Sequence, residues 1–120
     1  MFQQNKVKIS DSEWLVMQAI WSKSPLYMGD IVSALNYTPW SRTTIQTMVA
    51  RLVTKNVIAT NRMGYAFLYY PLISEDDAVK MYTQSFITRV YRGNAANLVT
   101  AIAASDMLKP EDKKKLKKLF

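Results

Sequence analysis

Residues 41–55 read SRTTIQTMVARLVTK, and their spacing sorts them onto two faces of one helix. Ile45, Met48, Val49 and Leu52 recur at the three, four and seven spacing of a buried stripe. Opposite them fall Thr43, Gln46, Thr47, Ala50, Arg51 and Thr54. A solvated helix face ordinarily carries Glu and Lys in long flexible pairs. Here no acid occurs from Ser41 to Asn56, and Arg42, Arg51 and Lys55 border the polar side. Short hydrogen-bonding side chains edged by cations suit an element pressed into a DNA groove. Gln pairs with an adenine edge, Thr offers a hydroxyl and a methyl, and Arg and Lys reach phosphates. A solvent-facing helix that happens to lack acids is the plain alternative, and the neighbouring segments weigh against it.

Upstream, residues 1–9 read as a polar tail apart from Val7 and Ile9. Ser10-Asp11-Ser12-Glu13 then fits a capping box that opens a helix. Trp14, Met17, Ile20 and Trp21 follow at core spacing, and Ser22 to Pro25 ends the run. A second short helix is expected over about Gly29 to Leu35, burying Ile31, Val32 and Leu35. Pro39 disfavours helix before it, and Ser41 is placed to cap the helix that follows. Two helices across a short connection, the second polar on its outer side, make a helix-turn-helix. Downstream, Asn56 suits the left-handed closure of a helix. Val57 to Asn61 reads as a strand, Arg62 to Tyr65 as a turn around Gly64, and Ala66 to Tyr70 as a second strand. Three helices and a two-stranded wing form a winged helix, with Arg62 at the wing tip within reach of a phosphate or minor groove.

Composition narrows the function. The net charge of +7 and pI near 9.7 favour an anionic partner, nucleic acid or a membrane surface. The chain has neither Cys nor His, which removes thiol chemistry and the commonest general base and metal ligand. Glu75, Asp76 and Asp77 cluster at a helix start, where the helix dipole accounts for them. A binding protein is expected, with no enzyme activity, no metal and no cofactor. No apolar run approaches the roughly 20 residues that span a bilayer, so no membrane insertion is expected, and a cytoplasmic location follows by default.

The domain boundary is placed at residue 74. Residues 1–74 hold seven basic and three acidic side chains, a balance of +4, and residues 75–120 hold nine and six, a balance of +3. The second part reads as three helices. The first, from Ser74, carries Ala78, Val79, Tyr82, Phe86, Ile87, Val90 and Tyr91 along one side and ends at Gly93-Asn94. The next runs from Ala95 to Ala104 with Leu98, Val99 and Ile102 apolar. The last opens at Pro110, with Leu116, Leu119 and Phe120 as a weak apolar face among lysines that read as solvated. Three short helices bury too little surface to be stable alone. They must pack against the first domain or against a second copy of the arm, and a two-fold dimer would match a palindromic DNA site.

These residues resemble the penicillinase repressor family, the BlaI/MecI/CopY group of bacterial winged-helix repressors. The first block of likeness is Ser10, Glu13, Trp14, Val16, Met17, Ile20 and Trp21. The second is Ser41, Thr44, Ile45, Thr47, Arg51, Leu52 and Lys55 followed by Val57-Ile58, and the third is Tyr70 to Ser74. The resemblance covers about residues 7–120 and implies a homodimer that represses promoters from an inverted-repeat operator. It implies that Ser41, Arg42, Thr43, Thr44, Gln46, Thr47 and Arg51 face DNA; Lys55 and Arg62 join them from the residue reading. It further assigns dimerisation to the arm, where the apolar positions are Val79, Tyr82, Phe86, Val90, Leu98, Val99, Ile102, Leu116 and Leu119. Well-known members carry basic residues at the positions of Thr43 and Gln46. Neutral side chains there shift the preference towards adenine and away from an unchanged TACA/TGTA half-site. In the antibiotic-responsive branch a membrane sensor protease triggers cleavage at an Asn-Phe pair. The matching positions are Ala101 and Ile102, which carry no recognisable signal. The cysteine cluster of the copper-responsive branch is absent.

Two other readings compete. A winged helix also serves as a protein–protein module, and Tyr65, Phe67, Tyr69 and Tyr70 would supply its aromatic surface. A small molecule held between arm and wing, near Tyr82, Phe86 and Tyr91, would make a ligand-gated regulator. The operator reading predicts that Gln46→Ala costs about 1–3 kcal/mol at one base position. Binding measured against duplexes varied base by base checks this, and an equal loss on every variant would remove Gln46 from base reading.

Overall fold

The computed structural model describes residues 8–119, so residues 1–7 of the expected tail 1–9 and the apolar Phe120 lie outside the described residues. Contacts divide the chain into two compact units, one ending at Met81 and the other beginning at Tyr82.

In the first unit, helix α1 spans Asp11–Ser22 and opens on the expected capping box. The Ser10 Oγ accepts from the Glu13 backbone N–H at 3.1 Å, and Glu13 Oε1 accepts from the Ser10 N–H at 3.0 Å. Val16, Met17 and Ile20 are fully buried. Trp14 and Trp21 are half-buried and meet edge to face at 5.2 Å. The Trp21 indole N–H donates to the Ile73 carbonyl at 2.9 Å, so the tryptophans border the core and do not fill its centre.

A two-residue strand, β1 (Leu26–Tyr27), leads into α2 (Met28–Ala34). Ile31 and Leu35 are buried and Val32 is half-buried. The connection to the next helix is tied by Thr38, whose Oγ1 donates to the Leu35 carbonyl at 2.6 Å and accepts from the Trp40 N–H at 3.4 Å. Helix α3 spans Arg42–Thr54. Ser41 caps it by accepting from the Thr44 N–H at 3.2 Å. Its far end closes in a Schellman motif: the Val57 N–H donates to Leu52 O at 3.0 Å and the Asn56 N–H to Val53 O at 3.0 Å, with Asn56 at φ 61°.

Strands β2 (Ile58–Met63) and β3 (Ala66–Pro71) form the wing. The sheet at its base has a third strand: β1 pairs antiparallel with β3, Leu26 opposite Tyr69 and Tyr27 opposite Leu68, giving the order β1-β3-β2. Two residues carry no readable alternation, so the sequence does not reveal β1. The hairpin is also longer than expected. Arg62 pairs with Phe67 and Met63 with Ala66, which leaves only Gly64-Tyr65 as the turn. Gly64 has φ 64°, as the first position of a two-residue II′ turn requires. Arg62 therefore sits within β2 and not in the turn.

The C-terminal helices are α4 (Glu75–Tyr91), α5 (Ala95–Ala104) and α6 (Pro110–Leu119). Ser74 Oγ accepts from the Asp77 N–H at 3.1 Å, and the three acids occupy the positive end of α4. Arg92 and Gly93 turn the chain with φ of 52° and 83°. Asn94 begins the next element, its side chain accepting from the Asn97 N–H at 3.1 Å. Ala78 and Met81 of α4 are buried, whereas α5 and α6 hold no buried residue.

Among the described residues, the buried charged side chain is Glu13, 2% exposed. Its carboxylate meets the Lys55 ammonium at 2.7 Å, and Lys55 also donates to the Lys8 carbonyl at 2.9 Å. Burial pushes the Glu13 carboxyl up, but the Lys55 hydrogen bond, the Ser10 N–H and the Lys55 charge together hold it below its ordinary value of 4.5. The ion pair thus stabilises the fold at neutral pH and down to that value, and its contribution disappears as pH falls through the lower folded pKa. Glu13→Gln is expected to cost about 1–3 kcal/mol at neutral pH. Thermal unfolding on acidification checks this: the acid-side loss of stability should be smaller in Glu13→Gln than in the parent.

Candidate nucleic-acid interface

Helix α3 buries Ile45, Met48, Val49 and Leu52 against the core, each burial contributing roughly 1.5–3 kcal/mol. That stripe turns Arg42, Thr43, Thr44, Gln46, Thr47, Ala50, Arg51 and Thr54 to the outside, all exposed. The faces are those the spacing predicts. Several hydroxyls are already engaged. Ser41 Oγ and Thr44 Oγ1 lie 3.1 Å apart, Thr47 Oγ1 donates to the Thr43 carbonyl at 3.0 Å, and Thr54 Oγ1 donates to the Ala50 carbonyl at 3.1 Å.

The stretch that carries α3 and the wing is basic for a simple reason. Between Asp30 and Glu75 the chain holds no carboxylate, while Arg42, Arg51, Lys55 and Arg62 all fall within that interval. The four cations are not equivalent. Arg42 and Arg51 extend from the exposed face at the two ends of α3. Lys55 is drawn into its ion pair with Glu13 beneath the helix end. Arg62 Nε donates to the Gly64 carbonyl at 3.0 Å, which braces the guanidinium across the hairpin turn.

An open groove of about 290 Å³ runs beside the start of α3, lined by Tyr27, Met28 and Gly29 at the start of α2, by Arg42, and by Ala66, Phe67 and Tyr69 of β3. Phe67 and Tyr69 alternate along β3 and share a sheet face with Arg62 and Thr60, their register partners. Tyr27 reaches the groove through the unforeseen strand β1. The sequence signal for it is weak: an aromatic just before a helix, with no pattern to tie it to residues forty positions on.

In the arm, the residues assigned to dimerisation are mostly accessible. Val79, Phe86 and Val90 of α4 are 46%, 40% and 51% exposed, and Leu119 of α6 is 75% exposed. Val99 is exposed, while Tyr82, Leu98, Ile102 and Leu116 are half-buried. Phe86 and Tyr91 stack edge to face at 5.8 Å. Ala101 is exposed and Ile102 half-buried within α5. Among the described residues no cluster of acidic side chains could hold a metal ion, and no helix is long and apolar enough to cross a membrane.

Comparison with known proteins gives a consistent picture. The penicillinase repressor family model matches residues 9–120. The penicillinase repressor of Bacillus licheniformis is 35% identical over 106 residues, which cover 88% of this chain and 83% of that protein. The methicillin resistance regulatory protein MecI of Staphylococcus aureus is 30% identical over 114 residues, covering 94% and 93%. Among solved structures, the B. licheniformis BlaI monomer in complex with the blaP half-operator matches with a TM-score of 0.54 at 37% identity, over 60% of this chain and 89% of that one. The DNA-binding domain of the repressor BlaI matches with a TM-score of 0.54 at 35% identity, over 64% and 93%. The three helices and small sheet described above are a winged helix of that kind.

Proposed function

The chain belongs to the penicillinase repressor family, and we propose that it is a transcriptional repressor that binds an operator with α3 in the major groove. The observation that carries this reading is α3 itself: one face held in the core, the other exposed, acid-free and edged by Arg42 and Arg51. The relative solved on a half-operator supports it. Thr43, Gln46 and Thr47 face base edges. Ser41 and Thr44 at the helix start, with Arg42, Arg51 and Arg62, face phosphates. The groove between Arg42 and Phe67 gives the phosphate backbone room to pass between α3 and the wing. Lys55 acts indirectly, since its ammonium holds the end of α3 to Glu13. As a DNA-bound regulator the protein works in the cytoplasm and has no need of a cofactor.

The repressor acts as a homodimer. Helices α5 and α6 bury no side chain of their own, and Val79, Phe86 and Val90 fall at spacings of seven and four on α4, one apolar side of a helix. A second copy of the arm is the partner that covers these residues and delivers two reading helices to an inverted repeat. Release by a membrane sensor protease would require α5 to open at Ala101 and Ile102.

Selection of duplexes from a random pool tests the reading. An inverted repeat with half-site centres about one helical turn apart, or a small multiple, is expected, bound more weakly as salt rises. A folded, dimeric chain that enriches no duplex would overturn it in favour of a protein-interaction module. Arg62→Ala should weaken binding to all sequences alike and lower the salt slope by about one. Phe86→Asp combined with Val90→Asp should shift the chain to monomer in sedimentation and weaken binding to the full repeat more than to a half-site.

A further inference from the structure

Thr47 stands in the middle of the exposed face of α3, one helical turn from Thr43 and beside Gln46. Its hydroxyl proton goes to the Thr43 carbonyl at 3.0 Å, as that of Thr54 goes to the Ala50 carbonyl at 3.1 Å. A hydroxyl whose proton is held by its own helix has no donor left for a partner, so the side chain offers its γ-methyl and an acceptor oxygen. Ala50, the next exposed residue along, offers only a methyl. The Gln46 amide, by contrast, makes no hydrogen bond to the described residues. The centre of the face therefore presents one amide with two donors and two acceptor sites, flanked by methyl groups.

The major-groove edge of DNA carries one apolar group, the C5-methyl of thymine. Resting on the assignment of α3 to the operator, we propose that Thr47 and Ala50 recognise thymine through methyl contact, next to the base pair read by the Gln46 amide. Thr47 is then a specificity-determining residue that works through its γ-methyl and not its hydroxyl. Donation to a base would require Thr47 to break its bond to the Thr43 carbonyl, which leaves its oxygen only as an acceptor. Methyl contact leaves the helix as it stands.

Two substitutions separate these roles. Thr47→Val keeps the shape and the methyl and removes the hydroxyl; Thr47→Ser keeps the hydroxyl and removes the methyl. Both are at an exposed helical position, and their melting temperatures report whether the fold is intact. The probe is the duplex enriched by the full chain from a random pool, together with copies in which each thymine in turn is replaced by deoxyuridine. One such replacement should weaken the parent about fourfold, the factor for one buried methyl. Thr47→Val should bind the unmodified duplex within about twofold of the parent. Thr47→Ser should lose about fourfold and become insensitive to deoxyuridine at that position, the coupling expected of two groups in contact. Retention by Thr47→Ser with loss by Thr47→Val would overturn the inference, as would a parent indifferent to deoxyuridine at every thymine. Either result leaves the operator assignment standing, because a duplex has been enriched; failure to enrich any duplex would overturn both.

Discussion

Helix α3 is held from one side only, and the design of the first unit follows from that constraint. A helix that must keep a long face open to a partner cannot be anchored by contacts around its circumference. Its place has to be set by four buried side chains, Ile45, Met48, Val49 and Leu52, and by its two ends. At the start, Ser41 caps the first turn and Thr38 ties the preceding connection. At the finish, the Schellman closure through Asn56 and Val57 satisfies the last carbonyls, and Lys55 is locked to Glu13. Glu13 belongs at once to the capping box of α1 and to the ion pair with α3. One carboxylate therefore sets where the first helix begins and where the third one ends. Its burial would be costly without these partners; with the Ser10 N–H and the Lys55 ammonium in place, the charged form is the favoured one.

The wing follows the same logic of a fixed root and a free tip. Pairing of β1 with β3 pins the base of the hairpin at Leu26 and Tyr69, close to buried Ile58. Beyond that point every residue from Asn61 to Phe67 is exposed. The distal hairpin is thus a two-stranded extension whose geometry depends on its own ladder, the Gly64 turn and the bond from Arg62 to the Gly64 carbonyl. Such an arm can project a cation at a set distance from α3 without contributing to the core.

The C-terminal helices have a different balance. Asn94 and Ser105 cap α5 at its two ends, but local bonds of this kind do not replace a buried core. Helices without a fully buried residue depend for their order on what further covers them. If a second copy does so, stability and assembly become one quantity, and both depend on protein concentration.

Much of this was legible in the sequence because it is local. The capping box at Ser10 and Glu13, the cap at Ser41, the closure at Asn56, the two faces of α3 and the bounds of α5 all depend on residues within a few positions of each other. Their signatures are periodicity and cap chemistry. The side chains that could not be read are those settled at a distance. Lys55 looked like one more cation beside the reading face, and only packing brings it to a carboxylate 42 residues away. Leu26 and Tyr27 looked like a linker until β3 came alongside them. The sequence by itself determined which segments are helical, which face of α3 is apolar and that the region around it lacks acids. Tertiary structure decided that Lys55 is not a free cation beside that face, because its carboxylate partner lies 42 residues away and only chain folding, not spacing, brings the two within bonding distance.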